Sequence, residues 1–175
     1  MISSEVLKQY LDFAQDAYHE HNDSGQAFRQ KGQVPYIEHP LGSALLLLAD
    51  TKLPFEIRER GFKILVLHDV LEDTSLPLPE WVEDDVRKGV EAMTYRGEEV
   101  LLAKREWVMG HESFVKLLTL YDMFWNLYER HIGGSDERRA LWKQTVLDLT
   151  DAVEREYGNL RIVQVSRAVA KETEW

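Results

Sequence analysis

An all-α fold is what this chain predicts, on three observations. Apolar residues recur three and four positions apart along most of its length, no stretch alternates convincingly with period two, and Pro40, Pro54, Gly133-Gly134 and Gly158 fall where helical stripes begin or end. The chain has 175 residues, 44% of them hydrophobic, which suits one domain spanning residues 1–175 with a full core. A bundle of about eight to ten helices fits that length.

The elements follow in order. Val6, Tyr10, Phe13, Ala14 and Ala17 form one stripe of a first helix, and the polar, glycine-bearing stretch 22–34 reads as a loop. Pro40 suits the first turn of a second helix, whose core face is Leu41, Ala44, Leu45 and Leu48. Pro54 opens a third, with Ile57, Gly61, Ile64, Leu65 and His68 on one stripe. The segment SLPLPEW is a proline-punctuated connection, after which Val86, Val90 and Met93 resume the helical period. Residues 100–109 predict a further helix and 114–130 a strongly apolar one, broken at Gly133-Gly134. Ser135 or Asp136 can cap the next helix, which carries Leu141, Val146, Leu149 and Val153; Gly158 ends it, and 160–170 forms the last.

Bulk properties exclude some functions. The net charge of −10 argues against gripping a nucleic-acid polymer, which needs a basic face. It leaves room for a small anionic ligand if a metal and a few cations offset the field locally. No apolar run approaches the roughly 20 residues of a membrane span, and the N-terminus lacks the pattern of a secretion signal. There is no cysteine, hence no disulfide and no thiolate metal site. A cytoplasmic location is the expectation.

Three segments carry candidate chemistry. In HDVLEDT, read as helix, His68 lies above Glu72 and Asp69 above Asp73, so one imidazole and three carboxyl groups share two turns. Anions so crowded beside an apolar stripe call for a neutralising cation or proton, and a divalent metal would also make a bound water acidic. A solvent-facing acidic helix end with a core histidine is the plainer alternative. His39, just before Pro40, reads alone as a cap or packing residue. Asp122 and Asn126 lie four apart on an apolar helix, where a hydrogen bond to Asn126 or to a tyrosine explains the carboxylate equally well.

Taken together and in order, the segments PYIEHP, HDVLEDT and LYDMFWNL resemble the HD-domain phosphohydrolases, and within them the RelA/SpoT-type hydrolases and their stand-alone relatives, the small alarmone hydrolases. PYIEHPLGSA is similar to the family's Pro-Tyr-Ile-x-His-Pro segment, LVLHDVLEDT to its His-Asp-x-x-Glu-Asp-Thr segment, and TLYDMFWNL to its Leu-Ala-Asp-x-x-x-Asn-Leu helix. The motif-bearing core spans about 8–130, with C-terminal helices over about 135–172.

This resemblance implies an HD-type helical bundle that binds a divalent metal, manganese, through His39, His68, Asp69 and Asp122. It implies that Glu72 and Asp73 orient and deprotonate the attacking water, and that Asn126 contacts the ribose or the surroundings of the metal. Arg29 and Lys31, in the basic segment before PYIEHP, are the candidates for phosphate or base contacts. The implied reaction removes the 3′-pyrophosphate of (p)ppGpp-type alarmones, by a hydrolase without the synthetase and regulatory domains of the long bifunctional enzymes. The alternatives are another HD phosphatase, acting on nucleoside monophosphates or NADPH, and a non-catalytic HD-fold binding module. One register stays open: aligning on Val115-Lys116-Leu117 puts Thr119 at the fourth ligand position, whereas aligning on Asp-x-x-x-Asn puts Asp122 there. Threonine is a poor replacement for a carboxylate ligand.

Overall fold

The computed structural model describes residues 2–20, 28–29, 34–96, 101–128 and 135–172. Among these lie α1 (Ser4–Glu20), β1 (Phe28–Arg29), β2 (Val34–Pro35), α2 (Glu38–Ala49), α3 (Phe55–Leu67), α4 (Val70–Asp73), α5 (Asp84–Met93), α6 (Leu101–Gly110), α7 (Ser113–Tyr128), α8 (Asp136–Tyr157) and α9 (Arg161–Glu172). The all-α expectation holds, with nine helices among the described residues. The one addition is a two-residue antiparallel pair, with Phe28 opposite Pro35 and Arg29 opposite Val34, at the edges of the stretch read as loop. The chain forms two compact units, one of Met1–Ala49 and Pro54–Tyr95, the other of Asp50–Leu53 and Arg96–Trp175.

In the first unit α3 is central, packed by α1, α2 and α5. Its first turns carry Glu56, Arg58, Glu59, Arg60 and Lys63, but its last turn, Ile64, Leu65, Val66 and Leu67, is buried and apolar around the whole circumference, as a helix end enclosed on several sides must be. Tyr10, Ala14 and Ala17 bury the face of α1 that their spacing predicts, joined by Tyr18. Helix α2 turns differently from expectation. Leu45 is exposed, and the buried face is His39, Gly42, Ser43, Ala44 and Leu47. Small residues there let α2 and α3 approach closely, and a run of four leucines is too uniformly apolar for its period to single out a face.

The proline-punctuated connection is pinned at several points. Leu78 and Val82 are buried, and the Arg87 guanidinium donates to the carbonyls of Leu78 (3.3 Å) and Pro79 (2.7 Å). Trp81 sets its edge against Tyr10 and Phe13, while Glu83 accepts from the Tyr10 hydroxyl and from Lys63.

Helices α3 and α5 meet at Gly89. A Cβ placed there would lie 2.3 Å from Ile64 Cδ1 and 2.8 Å from its Cγ1, and Ile64 is fully buried. Gly89→Ala should therefore destabilise by about 1–3 kcal/mol through overpacking, offset in part by alanine's better helix propensity. Thermal unfolding checks this. Ile64→Val in the same chain, which removes Cδ1, should restore part of the loss.

In the second unit α8 packs against α6, α7 and α9. The Ser135 side chain caps α8 by accepting from the Arg138 N–H at 3.3 Å, and Gly158, at φ 76°, terminates it in a conformation that disfavours a side chain. Buried Asp50 accepts from the N–H groups of Arg161 (2.9 Å) and Ile162 (3.3 Å) and from the Tyr121 hydroxyl (3.1 Å). It places a carboxylate on the positive end of α9. Burial, and then Asp50, push the Tyr121 phenol well above its ordinary range, so it stays a donor. No helix among the described residues is long and apolar enough to cross a membrane.

Candidate metal centre

The HDVLEDT segment is not one continuous helix. Helix α3 ends at Leu67, His68 and Asp69 form a turn, and the short α4 begins at Val70. Asp69 has φ −89° and ψ −5°, its carbonyl accepting from the N–H groups of Glu72 (3.2 Å) and Asp73 (2.8 Å). The expected stacking of Asp69 over Asp73 survives this break, since the hydrogen bond from 73 to 69 spans four residues. The Glu72 carboxylate accepts the backbone N–H of Tyr95.

His39, from the first turn of α2, and His68 are buried, with ring centroids 5.3 Å apart. Between them lies the part-exposed Asp69 carboxylate. Its Oδ1 is 3.2 Å from His68 Nε2 and its Oδ2 is 3.6 Å from His39 Nε2. One donor atom from each residue falls within 4.8 Å of the other two. Two ligands about 2.1 Å from a first-row divalent ion stand at most about 4.2 Å apart, so a small contraction would let all three bind one ion. Two imidazoles and a carboxylate form a borderline-to-hard donor set that suits such an ion.

The tautomer of His68 favours this use. Its Nδ1 is 2.7 Å from the Leu65 carbonyl oxygen. A carbonyl can only accept, so Nδ1 carries the proton, and the lone pair of the neutral ring is on Nε2, facing Asp69. Backbone anchoring of one ring nitrogen is the usual device for aiming the other at a metal.

A tyrosine closes the site on one side. Tyr36 follows β2, its ring stacked on Tyr18 at 5.3 Å and 26°. Its hydroxyl donates to Asp73 Oδ2 and lies 3.3 Å from Asp69 Oδ2. Tyr18, fully buried, donates to the Val66 carbonyl at 3.2 Å. Both phenols are held far above their ordinary range, first by burial and then by the charges of Asp69 and Asp73, so both remain protonated. Neither tyrosine was singled out by sequence reasoning, although Tyr36 stands inside the PYIEHP motif.

The other expected site residues fall as follows. Asp122 lies on α7 in the second unit, part-exposed, its Oδ1 accepting from Asn126 Nδ2 at 3.0 Å. Thr119, on the same helix, is buried and donates its hydroxyl to the Val115 carbonyl at 2.9 Å. That bond is made within its own helix. Arg29 is described only as backbone in β1, and Lys31 lies outside the described residues.

Comparison with protein-family models gives no match, and neither does comparison with curated proteins. Among solved structures, the chain is similar to one described as a metazoan ortholog of SpoT that hydrolyses ppGpp and plays a role in starvation responses. The TM-score is 0.73 at 19% sequence identity, over 98% of this chain and 97% of that one. The likeness therefore establishes the fold: this chain is built on the helical fold of that SpoT ortholog.

Proposed function

We propose that this chain is a metal-dependent phosphohydrolase that removes the 3′-pyrophosphate from guanosine alarmones of the (p)ppGpp type. The observation that carries the reading is the convergence of His39, His68 and Asp69, with Asp73 tied to the tyrosine that also reaches Asp69. The fold shared with a protein described as hydrolysing ppGpp supports it.

In this reading His39, His68 and Asp69 hold a divalent cation, manganese, and the Asp-x-x-x-Asn motif offers Asp122 as a further ligand. When bound, the cation supplies Lewis acidity to a phosphoryl oxygen and to water. Asp73, beside the ligands, accepts the proton that water loses on attack. Glu72, oriented by the Tyr95 N–H, assists in placing that water. The new bond joins the water oxygen to phosphorus, and the bond between that phosphorus and the ribose 3′ oxygen breaks. The products of ppGpp are GDP and pyrophosphate. Arg29, Lys31 and Asn126 are the proposed substrate contacts. In a chain of net charge −10, local cations are needed to admit a polyanion.

The test is a substrate panel. Purified protein, stripped with chelator and reloaded with manganese, is incubated with ppGpp, nucleoside monophosphates and NADPH. Pyrophosphate from ppGpp alone, lost on stripping and regained on reloading, is the expected result. Orthophosphate from another substrate, with nothing from ppGpp, would overturn the reading.

A further inference from the structure

We propose that Tyr36 is a positioning residue that keeps two neighbouring carboxylates in different jobs, holding Asp73 outside the metal's ligand set while Asp69 enters it. This inference rests on the metal reading above and adds to it a residue that neither the metal-ligand set nor the acid–base pair contains.

The geometry carries it. Asp69 and Asp73 are one helical turn apart, joined by the 2.8 Å hydrogen bond from Asp73 N–H to the Asp69 carbonyl, and both side chains meet the same phenol. A tyrosine hydroxyl has one proton to donate. Here it goes to Asp73, and Asp69 Oδ2, at 3.3 Å, is the more distant acceptor. Asp69 also faces both imidazoles, at 3.2 and 3.6 Å, so it is the carboxylate already aimed at the cluster. A cation placed there would attract both carboxylates. The reach of an aspartate allows the second to join the first, since residues four apart share a helix face. The donated hydrogen bond opposes that rotation, and it is rigidly mounted. The Tyr36 ring is stacked on Tyr18, which is fully buried and anchored to the Val66 carbonyl. The hydroxyl therefore does not travel with the metal. A carboxylate held this way keeps an oxygen beside the site for a water's proton, where a carboxylate bound to the metal would have lost that basicity.

Tyr36→Phe keeps the stacked ring and deletes only the hydroxyl. With cobalt(II) as the probe metal, the variant should bind the ion with affinity within about threefold of the parent. Its visible absorption should weaken as Asp73 joins the ligands and raises the coordination number. With manganese and ppGpp, kcat should fall about tenfold to a hundredfold, the range typical of groups that act through a ligand's neighbour, while KM stays within about threefold. Adding Asp73→Asn to Tyr36→Phe removes the charge that is drawn inward, and should return the cobalt spectrum to the parent's. That double variant also serves if two carboxylates without a shared donor prevent Tyr36→Phe from folding. A parent-like spectrum and kcat in Tyr36→Phe would overturn the inference. So would losses of metal and turnover in equal proportion, which mark a merely structural tyrosine, or an altered spectrum that persists in the double variant. A parent protein that binds no cobalt would instead remove the metal reading itself.

Discussion

Asp69→Ala is expected to empty the centre of metal and to lower turnover of ppGpp by on the order of 10³-fold or more, equivalent to about 4 kcal/mol of transition-state stabilisation. Among the described residues Asp69 is the carboxylate that faces both imidazoles, its two oxygens lying 3.2 and 3.6 Å from His68 and His39. Without it, the two imidazoles offer lone pairs but no charge, and the proposed Asp122 is left as the one anionic ligand to offset the dehydration of a dication. The fold should survive. Asp69 stands at the N-cap of α4 but makes no side-chain capping bond, and the Tyr36 hydroxyl retains Asp73 as its acceptor. The expected stability change is accordingly within about 1 kcal/mol. Metal content by elemental analysis, beside a melting curve, separates the two effects. A variant that keeps stoichiometric metal would refute Asp69 as a ligand. In the same assay Asp122→Ala should lose metal and Thr119→Ala should keep it, because a neutral hydroxyl is a poor replacement for a carboxylate ligand. The reverse pattern would shift the motif's register by three residues.

Most helices were legible because amphipathic stripes and end signals agreed. Tyr10, Ala14 and Ala17 on α1, and Val86, Val90 and Met93 on α5, are buried as their spacing requires. Ser135 and Gly158 bound α8 by the chemistry their positions suggest. Where the pattern carried no contrast, the reading failed. Leu45 was assigned to the core of α2, but a leucine run looks alike from every side, and packing on α3 chose Gly42, Ser43, Ala44 and Leu47. The two-residue strands are too short for any period to register. The turn at His68-Asp69 has no glycine or proline to announce it, so HDVLEDT read as continuous helix. Beyond the turn Glu72 accepts the Tyr95 N–H, a partner 23 positions away that helical spacing does not predict. Within the candidate site, His39, His68 and Asp69 were visible as residue types that bind metals. Tyr36 was not, because its role depends on partners 33 and 37 positions away, a relation that exists only in the folded chain.

The division between Glu72 and Asp73 leads to the second large effect. Asp73→Asn should lower kcat by about 10²–10⁴-fold, the usual contribution of a positioned general base, or about 3–5 kcal/mol, while metal content stays unchanged. The substitution is nearly isosteric, and the amide oxygen can still accept from the Tyr36 hydroxyl, so the local structure has no reason to shift. What is lost is the capacity to take a proton. Glu72→Gln should cost less. Glu72 already accepts the Tyr95 N–H, a bond that the amide oxygen of glutamine can replace. If the two variants instead lost activity equally, the proton would be shared between both side chains, and the one-base assignment would fall. If Glu72→Gln were the more damaging, the base would be Glu72, and its bond to Tyr95 would be the device that aims it. Steady-state kinetics on the two variants at matched metal content decides among these outcomes, because tautomer, ligand set and backbone geometry are common to both.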